Sequence, residues 1–267
     1  MHAYVINLER SPNRRAHITR ELARTGLTHD IVTGVDGQGL DLGDRATIAP
    51  ELLAKNDFPA GSAGCALSHL QVYRRILEDG HEHALVLEDD VTLPADLGTI
   101  VEQVVPHLTG AEVVLLNYGS RDGVVLAREG SVRLSATRTL ALPVDIASIV
   151  NAGAYVITRD ACRRMVAGLL PLRANADEWD YLYEQGLLDR VRLLRPLPVT
   201  KNASFESTIG LYSLGSGVAS RLVASVLRRR IPLVHRLVLW RRQRILGQWE
   251  RSEVVDAPFT TRPSRLD

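Results

Sequence analysis

The chain has 267 residues, of which 45% are hydrophobic and 24% charged, and its formal net charge at pH 7 is +1. These values exclude a disordered or fibrous chain and predict one large globular domain, or a domain with an appendage. The two cysteines, Cys65 and Cys162, form no CxxC pair, so their spacing indicates neither a disulfide framework nor a zinc site. No secretory signal and no apolar run of bilayer-spanning length is visible, and we therefore expect a cytoplasmic protein.

The first part of the chain predicts strands that alternate with helices. A buried strand is expected at residues 3–7, and a helix follows it, with Ser11 as N-cap and Pro12 in the first turn, to about Gly26. A second strand is expected over residues 29–35. Residues 38–60 look irregular or weakly helical, and a glycine-bearing turn at 61–64 opens a helix over residues 65–79.

Three adjacent carboxylates follow a short apolar run at residues 84–87, which is typical of a strand buried on both faces. These are Glu88, Asp89 and Asp90. Carboxylates crowded at the end of a buried strand repel one another and resist desolvation, so a cation is expected beside them. A divalent metal with oxygen ligands fits that role, and the alternative is a solvated strand end whose acids begin the next loop.

The second part continues the alternation, with a helix near residues 97–108, strands at 112–116 and 152–157, a helix at 159–168 and a late strand within 191–199. Residues 124–134 suit an antiparallel excursion. The whole pattern predicts an α/β fold with a mixed, mostly parallel sheet flanked by helices. Asn7, Asp36, the three acids and Asn117 lie at or just beyond strand ends, where α/β sheets bind ligands, so we expect one rim that forms a nucleotide site.

An ordered set of motifs resembles glycosyltransferase family 25, the bacterial lipopolysaccharide and lipooligosaccharide sugar transferases related to collagen galactosyltransferase domains. The resemblance covers roughly residues 2–209. The motifs are Ile6-Asn7-Leu8 with Arg14-Arg15, Gly61-x-x-Gly64-Cys65-x-x-Ser68-His69, Leu87-Glu-Asp-Asp90, Gly153-Ala-Tyr-Val-Ile-Thr158 and Ala176-Asp177-x-Trp179.

The resemblance implies a GT-A-like (Rossmann-like) fold, a nucleotide-sugar donor, commonly UDP-galactose, and an inverting reaction. It implies that Asp90, with Glu88, binds Mn²⁺ or Mg²⁺ at the donor's diphosphate, where a cation stabilises the charge that grows on the leaving group. The acceptor would be a hydroxyl of a cell-surface glycan or glycolipid.

The same resemblance distributes roles among the remaining residues. Asp177 is the first candidate for the general base, with Glu178 and Asp180 as rivals; alternatively these acids only favour a helix N-terminus. Trp179 is expected to stack on a sugar, with Gly153 and Tyr155 on the same acceptor side. The alternative for His69 is a structural hydrogen-bonding role, which is the more common one for a lone histidine. Lys201 and Asn202 match the family's donor-side loop only loosely. The expected donor-binding residues are Asn7, Arg14, Arg15, Asp36, Ser68, His69, Glu88, Asp89 and Asn117.

The C-terminal part differs in charge from the rest. Between Glu206 and Glu250 lie eight arginines and no acid, so the remainder of the chain carries −7. Arginines mixed with aliphatic residues and tryptophans are typical of segments that bind an anionic membrane surface. The alternatives are a dimerisation helix pair and, less favoured beside an acidic body, a nucleic-acid patch. We therefore predict a catalytic domain at 1–209 and a basic amphipathic extension at 210–267, peripheral on the inner face of the cell membrane.

Three rival functions share an acid-rimmed sheet. A metal-dependent nucleotidyl- or phosphoryl-transfer enzyme is the strongest. A receiver-like signalling module would carry its acids nearer its first strand, whereas two strand–helix units precede them here. A catalytically silent sugar-binding member of the same fold is the third.

Overall fold

The computed structural model describes residues 1–54, 59–120, 123–205, 240, 244, 248, 251–256 and 258–259. Its core is an eight-stranded sheet in the order β2-β1-β3-β9-β5-β10-β8-β7. The strands of this sheet are β1 (Ala3–Asn7), β2 (His29–Thr33), β3 (His83–Glu88), β5 (Glu112–Gly119), β7 (Val132–Arg133), β8 (Thr139–Ala141), β9 (Val150–Thr158) and β10 (Arg190–Arg195). Two further pairs are β4 (Val91–Thr92) with β11 (Thr200–Lys201) and β6 (Val124–Ala127) with β12 (Ser252–Val255).

Six of the eight strands of the main sheet run in the same direction. β1 is parallel to both β2 and β3, and β5 is parallel to β10. β9 runs antiparallel between β3 and β5, and β8 runs antiparallel to β10 and β7. The predicted mixed, mostly parallel α/β fold is confirmed. Because β9 is reversed, its first residues lie at the edge of the sheet where β1, β3 and β5 end.

Helices cover both faces of the sheet, because neighbouring residues of its central strands point to opposite sides. The helices are α1 (Pro12–Ala23), α2 (Leu42–Ile48), α3 (Pro50–Ala54), α4 (Ala60–Glu78), α5 (Leu97–Val104), α6 (Arg159–Gly168) and α7 (Trp179–Glu184). Tyr4 and Val86 pack with α4, α6 and α7, whereas Val5 and Leu85 pack with α1 and α5.

Two expected helix boundaries were wrong. α1 ends at Ala23, three residues before Gly26, and the Ser11 side chain makes no capping hydrogen bond. α4 begins at Ala60 rather than after Gly64, so the predicted glycine turn is part of the helix. Gly64 serves close packing instead, since a Cβ there would lie 2.5 Å from the backbone nitrogen of Gly37.

The short strands β4, β8 and β11 were not predicted, because two or three residues carry no readable periodicity. Their pairing still matters: β11 lies antiparallel to β4, and this places Lys201 opposite Val91, next to the acidic residues. The predicted antiparallel excursion at 124–134 contains β6 and β7. β7 pairs antiparallel with β8, whereas β6 pairs parallel with β12 and also makes an antiparallel bridge between Leu126 and Pro143.

Part of the predicted C-terminal extension pairs with the body. β12 runs parallel to β6, and Phe259 makes an edge-to-face contact with Tyr183 at 5.4 Å between ring centroids. Of the arginine-rich segment, the structure describes only residues 240, 244 and 248, so the predicted membrane-binding or dimerising role lies outside the described residues. Within the described part of the chain, no helix has both the length and the apolar character needed to cross a bilayer.

Candidate functional site

Asp89 is held by two side chains from the first strand–helix unit. Asn7, the last residue of β1, donates from Nδ2 to Asp89 Oδ2 at 2.7 Å. Arg14, in the first turn of α1, donates to Asp89 Oδ1 at 2.9 Å. Burial raises the pKa of the Asp89 carboxyl, and these two contacts oppose that shift only in part. Both carboxylate oxygens of Asp89 are therefore engaged by protein groups.

Glu88 faces a different set of neighbours. The Lys201 ammonium lies 3.7 Å from Oε2, His69 Nε2 lies 3.7 Å from Oε1, and the Cys65 thiol donates to Oε1 at 4.0 Å. Burial raises the pKa of Glu88, but the positive charge of Lys201 and contacts with His69 and Arg14 outweigh it and lower the pKa to about 2. Glu88 is therefore a stable carboxylate bound to Lys201, on a different side of the motif from Asp89.

Asp90 differs from the other two acids of the motif in its hydrogen bonding. Its Oδ2 lies 3.5 Å from Arg14, and its backbone oxygen accepts a hydrogen bond from the Asn202 amide at 2.7 Å. Oδ1 is buried and has no hydrogen-bond partner among the described residues. A buried carboxylate oxygen without a donor is unfavourable by itself, but it is the ligand that Mg²⁺ or Mn²⁺ prefers. The arrangement at Asp90 therefore fits a hard divalent cation.

Lys201 interacts electrostatically with Glu88 and Asp90 and also with Asp177. Burial alone would lower the pKa of the ammonium, yet the carboxylates of Asp90, Glu88 and Asp177 raise it above its ordinary value. Lys201 matches the family's donor-side loop only loosely in sequence, and the pairing of β11 with β4 places it here. Lys201 is thus a permanent cation at the centre of the acidic group.

Asp177 is attached to the first residues of β9, at the edge of the sheet where the acidic motif lies. Its Oδ2 accepts a hydrogen bond from the Asn151 amide at 3.1 Å, and Trp179 Nε1 donates to the Asn151 carbonyl at 3.1 Å. Asn151 has a φ of +88°, a conformation that asparagine tolerates better than most residues. Asp177 and Trp179 therefore hold this backbone turn at the edge where β3 and β5 end.

The expected acceptor-side contacts do not fit this placement. Trp179 and Tyr155 are fully buried, so neither ring offers a face to a sugar. Gly153 packs against β5, since a Cβ there would lie 2.7 Å from Asn117 Oδ1. These three residues therefore belong to the packed interior beneath the site. The two aromatic rings contribute buried apolar area to the core.

The rival acids lie beside Asp177 with different partners. Glu178 accepts a hydrogen bond from the Asn175 amide at 2.9 Å, whereas Asp180 lies in the first turn of α7. Both suit the expected role of acids at a helix N-terminus. The charge of Asp177 raises the pKa of both Lys201 and Cys65.

Two of the expected donor-binding residues, Ser68 and Asn117, are buried and hydrogen-bonded to the backbone. Ser68 is buried, accepts from the Val35 amide at 2.8 Å and donates to the Gly64 carbonyl at 2.6 Å. Asn117 is buried and donates to the Val199 carbonyl at 3.0 Å. Arg15, another expected donor-binding residue, is exposed.

Asp36 borders a separate opening near the ends of β1 and β2. It pairs with Arg10 and accepts from the Gln38 amide at 3.0 Å, and these hydrogen bonds lower the pKa of its carboxyl. A cavity of about 520 Å³ lies here. Its lining residues are Glu9, Arg10, Thr33, Gly34 and Asp36. The carboxyl ends of parallel strands are where α/β sheets bind nucleosides, so this cavity is a candidate nucleoside site.

Comparison with known proteins identifies the chain's relatives. The model of a family described as "Glycosyltransferase family 25 (LPS biosynthesis protein)" matches residues 1–179. Procollagen galactosyltransferase 2 of Homo sapiens is 32% identical over 95 residues, which cover 33% of this chain and 15% of that protein. Inactive glycosyltransferase 25 family member 3 of Mus musculus is 28% identical over 133 residues, which cover 47% of this chain and 22% of that protein.

The chain spans less than a quarter of the length of both curated relatives. Among solved structures, a glycosyltransferase involved in the glycosylation of the major capsid of PBCV-1 is 10% identical, with a TM-score of 0.39. The match covers 72% of this chain and 80% of that one.

Proposed function

The chain belongs to glycosyltransferase family 25, and from this we propose that it transfers galactose from UDP-galactose to a hydroxyl of a cell-surface glycan or glycolipid, with inversion at the sugar. The observation that carries the proposal is the buried Oδ1 of Asp90, which has no hydrogen-bond partner among the described residues. The same carboxylate lies 3.5 Å from Arg14 through Oδ2, and its charge raises the pKa of Lys201. Such a site matches a diphosphate that arrives with a divalent cation. The galactose donor is suggested by the procollagen galactosyltransferases among the relatives.

Asp90 would hold Mn²⁺ or Mg²⁺. The cation would supply positive charge that stabilises the departing nucleoside diphosphate more strongly in the transition state than in the ground state. Glu88, which the family resemblance implies as a second ligand, is paired with Lys201 and faces Cys65 and His69. We therefore assign Asp90 as the ligand and leave Glu88 the task of fixing Lys201.

Lys201 and Arg14 are the protein's own cations at this edge of the sheet. Each is anchored by an acid of the motif, Lys201 by Glu88 and Arg14 by Asp89. Anchoring reduces the freedom that a long side chain would lose on binding a phosphate. Lys201, whose side chain is 30% exposed, is the better placed of the two to meet the diphosphate.

Asp177 is the proposed general base. The acceptor oxygen forms a bond to the anomeric carbon as the carbon–oxygen bond to the diphosphate breaks, and the acceptor's proton passes to the Asp177 carboxylate. The hydrogen bond from the Asn151 amide orients this carboxylate at the rim. The nucleoside would occupy the cavity beside Asp36, at the ends of neighbouring strands β1 and β2.

The activity is tested by a screen of nucleotide sugars for release of nucleoside diphosphate in the presence of Mn²⁺. We expect release with UDP-galactose by the wild type and at least a 100-fold lower rate for Asp90→Asn. Asp96→Asn is the matched control, since Asp96 has an exposed side chain paired with Arg138. Equal release by wild type and Asp90→Asn would overturn the assignment of the cation site.

Inactive members among the relatives make a silent, sugar-nucleotide-binding protein the second candidate. The same screen separates the two functions. Binding of a nucleotide sugar without release, across all donors and with a range of saccharide acceptors, would favour the silent function.

A further inference from the structure

Cys65 and His69 have no role in the proposed transfer reaction, and they form a cluster with Glu88, which there only anchors Lys201. Cys65 and His69 are four residues apart on α4, so they lie on one face of the helix, and that face meets the end of β3 at Glu88. His69 Nε2 lies 3.7 Å and Cys65 Sγ 4.0 Å from Glu88 Oε1. All three ligand atoms lie within 4.8 Å of one another.

The two nitrogens of the His69 ring differ: Nδ1 is hydrogen-bonded, and Nε2 has no hydrogen bond to the described residues. Nδ1 lies 2.7 Å from the Tyr155 hydroxyl, which in turn lies 2.8 Å from the Tyr73 hydroxyl. Nε2 is buried, points into the cluster and has no hydrogen-bond partner within the described part of the chain. Histidines that bind metals show this pattern, with the second ring nitrogen fixed by a polar group behind it.

We propose that Cys65, His69 and Glu88 bind a thiophilic divalent cation of the Zn²⁺ class, at a site separate from the oxygen ligand offered by Asp90. Bonds of about 2.0 Å to nitrogen or oxygen and about 2.3 Å to sulfur place tetrahedral ligands roughly 3.3–3.8 Å apart. The three atoms reach this spacing with shifts below about 1 Å. One thiolate, one imidazole and one carboxylate select Zn²⁺ over Mg²⁺ or Mn²⁺, and leave a fourth coordination position open.

The metal binds in exchange for a proton. The Cys65 thiol loses its proton to solvent, the sulfur and the cation form a bond, and neutral His69 donates its Nε2 lone pair. The thiolate and the Glu88 carboxylate together balance the charge of the cation. No oxidation or reduction is involved.

Co²⁺ tests this site directly, because a cobalt–thiolate bond gives a charge-transfer absorption that oxygen and nitrogen ligands do not. Titration of the full chain with Co²⁺ is expected to produce this band with a stoichiometry of one, and Zn²⁺ is expected to abolish it by displacement. Cys65→Ser should lose the band, whereas Asp90→Asn should keep it. A wild type without the band, or a Cys65→Ser variant that keeps it, overturns the proposal.

Tyr155→Phe tests the hydroxyl behind His69. Removal of such a supporting hydrogen bond typically weakens metal binding 10–100-fold, so Zn²⁺ affinity should fall by that factor while the cobalt band persists at saturation. A measurement on the wild type alone does not depend on any variant folding: Zn²⁺ should protect Cys65 from alkylation, with the modified peptide identified by mass. Alkylation of Cys65 at the same rate with and without Zn²⁺ overturns the proposal.

Discussion

The three carboxylates of the 88–90 motif have different surroundings, although Arg14 contacts both Asp89 and Asp90. Glu88 pairs with Lys201, Asp89 with Asn7 and Arg14, and Asp90 keeps one buried oxygen. The first two carboxylates therefore position cations, and the third is available to a ligand. Three adjacent acids in sequence thus perform at least two separate tasks, which their order alone does not reveal.

Asp177→Asn tests the general base without disturbing the turn that Asp177 holds. The amide oxygen of asparagine can still accept the hydrogen bond from Asn151, so the free energy of unfolding should change by less than about 0.5 kcal/mol. Transfer should fall by roughly 100- to 10,000-fold, because a proton acceptor is lost. The rate is measured as sugar transferred, and nucleotide binding by titration.

Asp180→Asn is the matched control for this substitution, since Asp180 lies in the first turn of α7. It should leave transfer within a few-fold of the wild-type rate. Full activity of Asp177→Asn, or loss of activity in Asp180→Asn instead, would contradict the assignment.

Lys201→Met tests the pairing with Glu88 through the pH dependence of stability. The Glu88 pKa is about 2 in the folded chain against an ordinary 4.5, so Glu88 contributes stability above pH 4.5 that is lost as the pH falls towards 2. This loss is at most about 1.4 kcal/mol per pH unit. Without Lys201 the Glu88 pKa should rise, so the destabilisation caused by the substitution should be larger at pH 6 than at pH 3.

Urea denaturation of wild type, Lys201→Met and Lys201→Arg at the two pH values checks this expectation. Lys201→Arg keeps the charge and should retain most of the wild-type pH dependence. A destabilisation by Lys201→Met that is equal at pH 6 and pH 3 would show that Lys201 does not set the pKa of Glu88.

At the level of secondary-structure elements, the contact of α4 with the loop after β2 sets the position of Ser68, His69 and Cys65. The helix approaches this loop through Gly64, where a Cβ would lie 2.5 Å from Gly37 N and 2.6 Å from Val35 O. Both atoms belong to the backbone, so they cannot move aside as the end of a flexible side chain could. A side chain at residue 64 must therefore move the helix.

Gly64→Ala should destabilise the protein by about 1–3 kcal/mol, the usual cost of overpacking. Gly39→Ala is the control, because a Cβ there meets nothing within 4 Å, and its effect should stay within about 0.5 kcal/mol. The two free energies of unfolding are obtained from urea denaturation. Equal effects of the two substitutions would mean that α4 does not depend on the close approach at Gly64.

The long elements could be predicted from the sequence, and the short ones could not. Apolar runs and helical spacing identified the strands at 3–7 and 112–116 and the helix at 159–168, because each buries a continuous face. The two-residue strands β4 and β11 depend on partners more than 100 residues away in the chain. The position of Lys201 was therefore not readable from its neighbours in sequence.

The same limit applies to residue roles. The sequence motifs predicted which residues lie near one edge of the sheet, but burial decides which of them a ligand can touch. Trp179 and Tyr155 are core residues in the structure. The Ser68 hydroxyl accepts a hydrogen bond from one backbone amide and donates one to a backbone carbonyl. The cluster of Cys65, His69 and Glu88 was not predicted, because its ligands come from a helix and a strand without a recognised metal-binding spacing.

At the scale of the whole molecule, the contrast between an acidic body and the basic segment between Glu206 and Glu250 predicts attachment to anionic membranes. Replacement of Arg228, Arg229 and Arg230 by glutamine should weaken flotation with phosphatidylserine liposomes, since each basic residue near such a surface contributes about 1 kcal/mol. This change keeps the chain length and the strand β12 intact. Unchanged flotation, with a shift from dimer to monomer in sedimentation, would favour dimerisation instead.

Calorimetric titration of UDP-galactose, with and without Mn²⁺, tests the central claim most directly, because it measures donor binding before any acceptor is known. The wild type should bind the nucleotide sugar at least 10-fold more tightly with Mn²⁺. Asp90→Asn should lose that gain, and Asp96→Asn should keep it. Binding that is independent of Mn²⁺, or equally tight in Asp90→Asn, would contradict a cation-assisted diphosphate site at the end of β3.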